Sequence, residues 1–368
     1  MNKGKIIISV TNDLMTDQRV NRICLSLQKM DYEILLVGRS LKHSLPIKRN
    51  YRTKRFNLWF NKGFLFYANF NICLFFYLLF SKADIYWSND LDTLPANFLV
   101  SKIKRKKLVY DSHEYFTEVP ELVNRPRIQS FWKFIEQMIF PKLKNIITVS
   151  DKIAEDYSKL YNKKITVIRN LPLSITDFYP VKNIKILGFD VIIYQGVVNV
   201  GRGLEPLVEA MQYVNNAILY IIGDGDVFDA IVQKIRKYKL EDKVIMLGKI
   251  PLEQLHHYTF QANLGVSLEE NMGLNYKYAL PNKLFDYINA NVPVLTSELP
   301  EMKSVVENYN VGETLSDISP KAIAEKINVL LADKTRLSAY SNNCKLAKKE
   351  LCWEVEEKKL YSFVNKIK

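Results

Sequence analysis

Pro281-Asn282-Lys283-Leu284-Phe285-Asp286-Tyr287, followed by the apolar run Val292-Pro293-Val294-Leu295, reads as a helix leading into a buried strand. Proline suits the first position of a helix. Asn282, Lys283 and Asp286 are three or four residues apart and share one helix face, while Leu284, Phe285 and Ile288 take the other and can pack on a sheet. A lysine beside the free amides of a helix N-terminus attracts phosphate. An acid one turn later lies about 4.5 Å along the axis. A nucleotide suits that spacing, with its diphosphate at the amine and its ribose diol at the carboxylate. An amphipathic helix with a solvated polar face would show the same pattern.

Outward from this segment, short β-branched runs alternate with helical stretches along nearly the whole chain. Strands are predicted at 5–10, 33–37, 84–87, 108–110, 146–149 and 165–168, then at 191–194, 218–222, 244–247, 264–267 and 293–296. Strands without apolar–polar alternation, separated by helices, indicate parallel sheets covered on both faces. One sheet of that many strands would be unusual, so two doubly wound domains are expected. The boundary is placed at Asn170-Leu171-Pro172-Leu173, before an irregular stretch that lasts until Asp190. This gives an N-terminal domain over 1–170, a C-terminal domain over 171–350 and a last helix in 351–368. That helix carries Trp353, Leu360 and Val364 on one stripe and either finishes the second domain or crosses back to the first.

The 368 residues carry 52 Lys and Arg against 39 acids, a net charge of +13, which favours an anionic partner. No zinc knuckle, basic zipper or aromatic single-strand platform is present, so nucleic acid is not expected. The four cysteines show no metal-ligand spacing and fit a reducing, cytoplasmic compartment. Residues 64–80 are almost wholly apolar and follow Lys48, Arg49, Arg52, Lys54, Arg55 and Lys62. Asn69 and Asn71 interrupt the run, and a membrane span needs about 20 apolar residues. The expectation is a helix partly in the core and partly at a bilayer interface.

Parallel open sheets bind ligands at the carboxyl ends of their strands. His113 follows the 108–110 strand and is a candidate to donate to a sugar hydroxyl or to move a proton. Gly196 ends the 191–194 strand and gives room for close backbone approach. Arg202, between Gly201 and Gly203, offers a charged fork for phosphate. Gly223-Asp224-Gly225 reads as a tight turn, and the lack of a full Gly-x-Gly-x-x-Gly disfavours a nicotinamide cofactor. Asp90 and Asp92 have a spacing that invites a divalent metal, but a helix cap by Asp92 or Thr93 is preferred. Thr16-Asp17-Gln18-Arg19 reads as a capped helix start, with Asp17 and Arg19 on the acceptor side.

Taken in order, Asp17-Gln18-Arg19-Val20, Asp111-Ser112-His113-Glu114, Tyr194-Gln195-Gly196 with Arg202-Gly203-Leu204, Ile222-Gly223-Asp224-Gly225 and Pro281–Tyr287 resemble glycosyltransferase family 4. The resemblance implies the GT-B fold, with two facing Rossmann-like domains and a central cleft. It implies sugar transfer from a nucleotide diphosphate sugar, UDP- or GDP-linked, with no bound cofactor and no metal. Retention of anomeric configuration and a lipid-linked or surface-polysaccharide acceptor are expected, at the inner face of the cell membrane. Gly196, Arg202, Asn282, Lys283 and Asp286 would bind the donor, Asp286 standing where the family's ribose-binding glutamate falls. The family's first paired glutamate falls on Tyr278, and the basic residue usual after Gly196 is Val197. Glu269 and Glu270 are the nearby acids that could substitute, and Glu270 is placed with His113 as catalytic. The alternatives are a sugar-nucleotide epimerase on the same fold and a non-catalytic nucleotide-sugar or membrane adaptor.

Overall fold

The computed structural model describes residues 3–15, 17–42, 44–174 and 184–367. Thr16 of the expected helix start, and 175–183 of the expected irregular stretch, lie outside the described residues.

The chain divides into two compact units, Met1–Arg169 with Glu356–Lys368, and Asn170–Val355. The first holds β1 (Gly4–Ser9), β2 (Tyr32–Ser40), β3 (Arg52–Asn57), β4 (Ile85–Asn89), β5 (Lys107–Ser112), β6 (Asn145–Thr148) and β7 (Thr166–Val167). They form one sheet in the order β3-β2-β1-β4-β5-β6-β7, every pair parallel. Ile6, Ile7 and Ile8 of the central strand are wholly buried, because helices cover both faces. The helix Gln18–Lys29 is capped by Asp17, which accepts from Val20 N at 3.0 Å, and Ser150 caps Asp151–Tyr161 in the same way. Glu356–Lys368 joins this unit through Phe363 against Trp87 and through Glu357, which accepts from Ser26 Oγ at 2.6 Å.

The second unit holds β8 (Asp190–Gln195), β9 (Ala217–Ile222), β10 (Val244–Gly248), β11 (Leu264–Ser267), β12 (Val294–Ser297) and β13 (Gly312–Leu315). Their order is β10-β9-β8-β11-β12-β13, again all parallel. Both sheets therefore have Rossmann-like topology, and in the second the strand order reverses between β8 and β11. The helix Asn282–Asn289 buries Leu284, Phe285, Tyr287 and Ile288 in the core beside β12. Pro281 is its N-cap, in extended conformation, and the helix begins at Asn282, one residue later than the sequence indicates.

Two edge strands, β3 and β13, were not expected from the sequence. β3 reads Arg-Thr-Lys-Arg-Phe-Asn and is half exposed, and β13 is only partly buried. An edge strand has one neighbour and needs no apolar run, so its sequence resembles a loop.

Candidate active site

The loops after β8 and β11 meet the start of the helix Asn282–Asn289 inside the second unit. Lys283 points inward: it is 7% exposed, and Nζ lies 2.8 Å from Oε1 of Glu269, which is wholly buried. Arg202 Nη1 is 3.8 Å from the same oxygen. The other oxygen of Glu269 accepts from Ser267 Oγ at 2.7 Å. Lys283 Nζ also sits 4.0 Å over the Tyr194 ring, and Arg202 lies 4.8 Å over Tyr276. Two cations thus share one buried carboxylate. Although 2.8 Å apart, Lys283 Nζ and Glu269 Oε1 complete no well-formed hydrogen bond with any described residue. An ammonium with free donors in a buried, net positive cluster is suited to an incoming anion.

The protonation states follow from that packing. Burial would raise the Glu269 carboxyl, but the charges of Lys283 and Arg202 outweigh it and hold it below the ordinary glutamate value. Burial lowers the Lys283 ammonium, Glu269 pulls it back up, and Arg202 adds to the lowering.

The turns around this cluster are packed backbone on backbone. Gly203 has φ +68, and a Cβ there would lie 2.0 Å from Leu268 O. Gly223 has φ +150, and a Cβ there would lie 1.7 Å from Gly196 O. The expected tight turn at Gly223 is thus a close backbone contact that only glycine permits. Asp286 accepts from Gln195 Nε2 at 2.9 Å, and Gln195 Oε1 accepts from Thr259 Oγ1 at 2.7 Å. Asn282 is exposed and accepts from Asn170 Nδ2 at 2.8 Å.

Glu270 is held on the backbone to either side of Arg202 and makes no ion pair with Lys283 or Arg202 among the described residues. Its backbone N–H donates to Gly201 O at 2.9 Å, and its carboxylate accepts from Gly203 N–H. Burial, with Glu205 nearby, raises its pKa above the ordinary value. The acid that the cations share is Glu269. Sequence reasoning named it only as a possible substitute, although its position just past the carboxyl end of β11 was the available signal.

His113 lies in the first unit, just past β5, among carboxylates. Its Nε2 is 3.3 Å from Asp111 Oδ2 and its Nδ1 3.6 Å from Asp90 Oδ2, while its backbone N–H donates to Asp90 Oδ1 at 2.8 Å. Burial opposes charging the ring, but Asp111 and Asp90 prevail and raise its pKa to about 9. Asp111 in turn is held at about 2 by Arg19 and His113 against its own burial.

In this unit one expectation needs correction, the cap at Asp92 or Thr93, and two candidate side chains have partners of their own. Arg19, expected on the acceptor side, is 2% exposed and donates to Asp111 Oδ1 at 2.7 Å and to Ile168 O at 2.6 Å. Asp17, its expected companion, uses one oxygen as the helix cap and the other to accept from Asn12 Nδ2 at 3.0 Å. Neither Asp92 nor Thr93 caps the helix Asp90–Ile103, whose N-cap is Asn89. Asp92 accepts from Thr11 Oγ1 at 2.6 Å, and Asp90 adopts φ +57 to reach His113.

The model of Glycosyltransferase Family 4 matches residues 17–171, and that of Glycosyl transferases group 1 matches residues 176–347. The chain belongs to glycosyltransferase family 4. No curated protein matches it. Among solved structures, sucrose-phosphate synthase from Thermosynechococcus elongatus is 18% identical, with TM-score 0.80 over 98% of both chains. Anabaena Alr3699/HepE, crystallised with UDP and glucose, is 14% identical, with TM-score 0.76 over 99% of this chain and 100% of that one. WaaG, a glycosyltransferase involved in lipopolysaccharide biosynthesis, is 13% identical, with TM-score 0.68 over 97% and 98%. These similarities establish the GT-B fold, with two Rossmann-like domains. In this family 4 glycosyltransferase Tyr278 ends the short helix Leu274–Lys277.

Proposed function

We propose that this glycosyltransferase takes a nucleotide diphosphate sugar, UDP-linked before GDP-linked, and transfers the sugar with retention to a lipid-linked or surface-polysaccharide acceptor. The observation that carries the donor reading is the pair of cations, buried Lys283 and partly exposed Arg202, on the single carboxylate of Glu269. In the transfer, the bond from the anomeric carbon to the diphosphate breaks, the acceptor hydroxyl oxygen bonds to that carbon, and the hydroxyl proton passes to the departing diphosphate. Negative charge then grows on the departing diphosphate. Lys283, Arg202 and the amides at the start of Asn282–Asn289 would take that charge, an electrostatic contribution that is usually the largest in such chemistry. No metal is assigned a part in this reading.

Asp286, held by Gln195, would orient the ribose hydroxyls, and Gly196 would let the backbone approach the donor. His113 would position the donor sugar as a cation, consistent with the carboxylates on both sides of its ring. Glu270 would act beside the leaving group. Acceptor chemistry is read from the family resemblance and from the apolar, basic N-terminal segment.

The test is to incubate the protein with a panel of nucleotide sugars and detect free nucleotide diphosphate. Slow release from one donor without acceptor supports transfer. Sugar isomerisation without release supports an epimerase, and no reaction with any donor supports a non-catalytic adaptor.

A further inference from the structure

We propose that the first unit carries a bilayer-docking face, formed where the start of the helix Gly63–Phe80 meets the helix Pro126–Ile139, and that its occupant is an anionic lipid surface. The proposal deepens the membrane reading of the acceptor by giving it a defined surface.

The helix Gly63–Phe80 contains no charged residue and has two apolar sides. Phe66, Phe70, Leu74 and Leu78, spaced by four, are buried and join the core of the sheet. Leu65, Ile72, Phe76 and Phe80 lie on the exposed side. By length and composition this helix could cross a membrane. Crossing would pull the buried stripe out of the fold, so the helix lies along an interface instead.

The helix Pro126–Ile139 adds a second exposed stripe. Trp132, Glu136 and Ile139 face inward, whereas Ile128, Phe131, Phe134 and Met138, spaced by three or four, face out. Phe64 and Phe131 join the two helices, with ring centroids 5.5 Å apart. Ahead of them Trp59 is 89% exposed, although its backbone N–H is fixed by Asn69 Oδ1 at 3.1 Å. An exposed tryptophan held on a fixed backbone beside clustered phenylalanines is unusual on a surface that stays in water.

Charge selects the occupant. No Asp or Glu occurs between Glu33 and Asp84, and exposed Lys62, Arg125 and Arg127 flank the Phe64–Phe131 contact. The neighbouring acids include Glu114 and Glu121, which act on Tyr67, and Glu118, which is paired with Lys133 at 2.7 Å. A second copy of this chain would bring like charges together, whereas an anionic bilayer offers apolar depth under a negative surface.

The test needs neither donor nor turnover, so it can fail while the donor reading stands, and the reverse. Of the four tryptophans, Trp87, Trp132 and Trp353 are buried, so Trp59 alone reports contact with lipid. The full chain is mixed with vesicles of phosphatidylcholine, with or without phosphatidylglycerol. Co-sedimentation with the anionic vesicles and a blue shift of Trp59 emission, lost in Trp59→Phe, are expected. The double variant Phe64→Ser/Phe131→Ser should partition at least about tenfold more weakly with an unchanged melting temperature. Each basic side chain near an anionic surface contributes roughly fivefold, so Lys62→Gln/Arg125→Gln/Arg127→Gln should weaken binding about a hundredfold. Failure to bind vesicles, binding indifferent to these variants, or a dimer in solution that Phe64→Ser/Phe131→Ser dissociates would overturn the proposal.

Discussion

Two buried ionic clusters, one in each unit, use similar residues to opposite effect. In the first, Arg19 and His113 face Asp90, Asp92 and Asp111, so carboxylates outnumber cations. In the second, Lys283 and Arg202 face Glu269 alone. A cluster with surplus carboxylates relieves itself by taking protons. Burial accordingly raises Asp92 to about 6 and Asp90 well above its ordinary value, and carboxylates hold His113 charged against its burial. In a cluster with surplus cations the lysine is eased by a lowered pKa, but the arginine keeps its proton. An anion from outside would balance it, as the proposed donor diphosphate does. The first arrangement organises a loop, and the second is suited to ligand.

Replacing the cation of each cluster tests that division. Lys283→Ala should lower turnover by about a hundred- to a thousandfold, the usual loss when one donor to a developing anion is removed. Donor affinity, measured by calorimetry, should fall too, while far-ultraviolet circular dichroism stays unchanged. Unaltered turnover would remove Lys283 from the site. Arg19→Leu should show the opposite signature. It leaves Asp111 buried with only His113 for a partner, and breaking such a pair costs about 3–5 kcal/mol in urea unfolding. Turnover per folded molecule should change far less than in Lys283→Ala. Equal losses of turnover in the two variants would erase the distinction between the clusters.

The same contrast governs what could be read in the sequence. The central strands were legible because burial on both faces demands unbroken runs such as Ile6-Ile7-Ile8. β3 and β13 were not, because an edge strand has a weak apolar signal. Lys283 drew notice by its place at a helix start, and Arg202 by residue type and position after a strand. Their sharing of Glu269 was hidden, since it depends on where β11 ends relative to a helix that starts 15 positions further on. Asp90 and Asp92 misled for a related reason. Local rules favour a cap, but Asp90 reaches His113, 23 residues away, through a left-handed backbone that no neighbouring residue announces.

His113 gives the next smaller effect, and its sign is fixed by the cluster. Its pKa rises from an ordinary 6.5 to about 9 in the fold. Below about 6.5 both folded and unfolded states hold the proton, and the stabilisation is fully present. It is lost as pH rises through 9. His113→Gln should therefore be less stable than wild type at pH 6, by up to about 3 kcal/mol, with the gap closing toward pH 9.5. A ring titrating near 6.5 by NMR would show that Asp111 and Asp90 do not hold the proton there.

The smallest effect belongs to Thr11, and its sign is the reverse. Asp92 is an acid whose folded pKa, about 6, lies above its ordinary value of 3.8. The fold therefore favours the protonated carboxyl, and the cost of burying the charge grows from pH 4 to 6 and is complete above that. Burial is the larger influence, and the hydroxyl of Thr11, donating at 2.6 Å, is the main one opposing it. Thr11→Val removes that donor and keeps the shape of the side chain. It should push the Asp92 pKa higher and cost about 1.5–3 kcal/mol at pH 8, where the carboxylate is charged. At pH 4 the carboxyl is protonated in the folded variant and wild type alike, so the loss should be clearly smaller. Urea unfolding at the two pH values separates the cases. An equal loss at both would mean that Thr11 contributes by packing, and that the surplus of carboxylates does not set the state of this cluster.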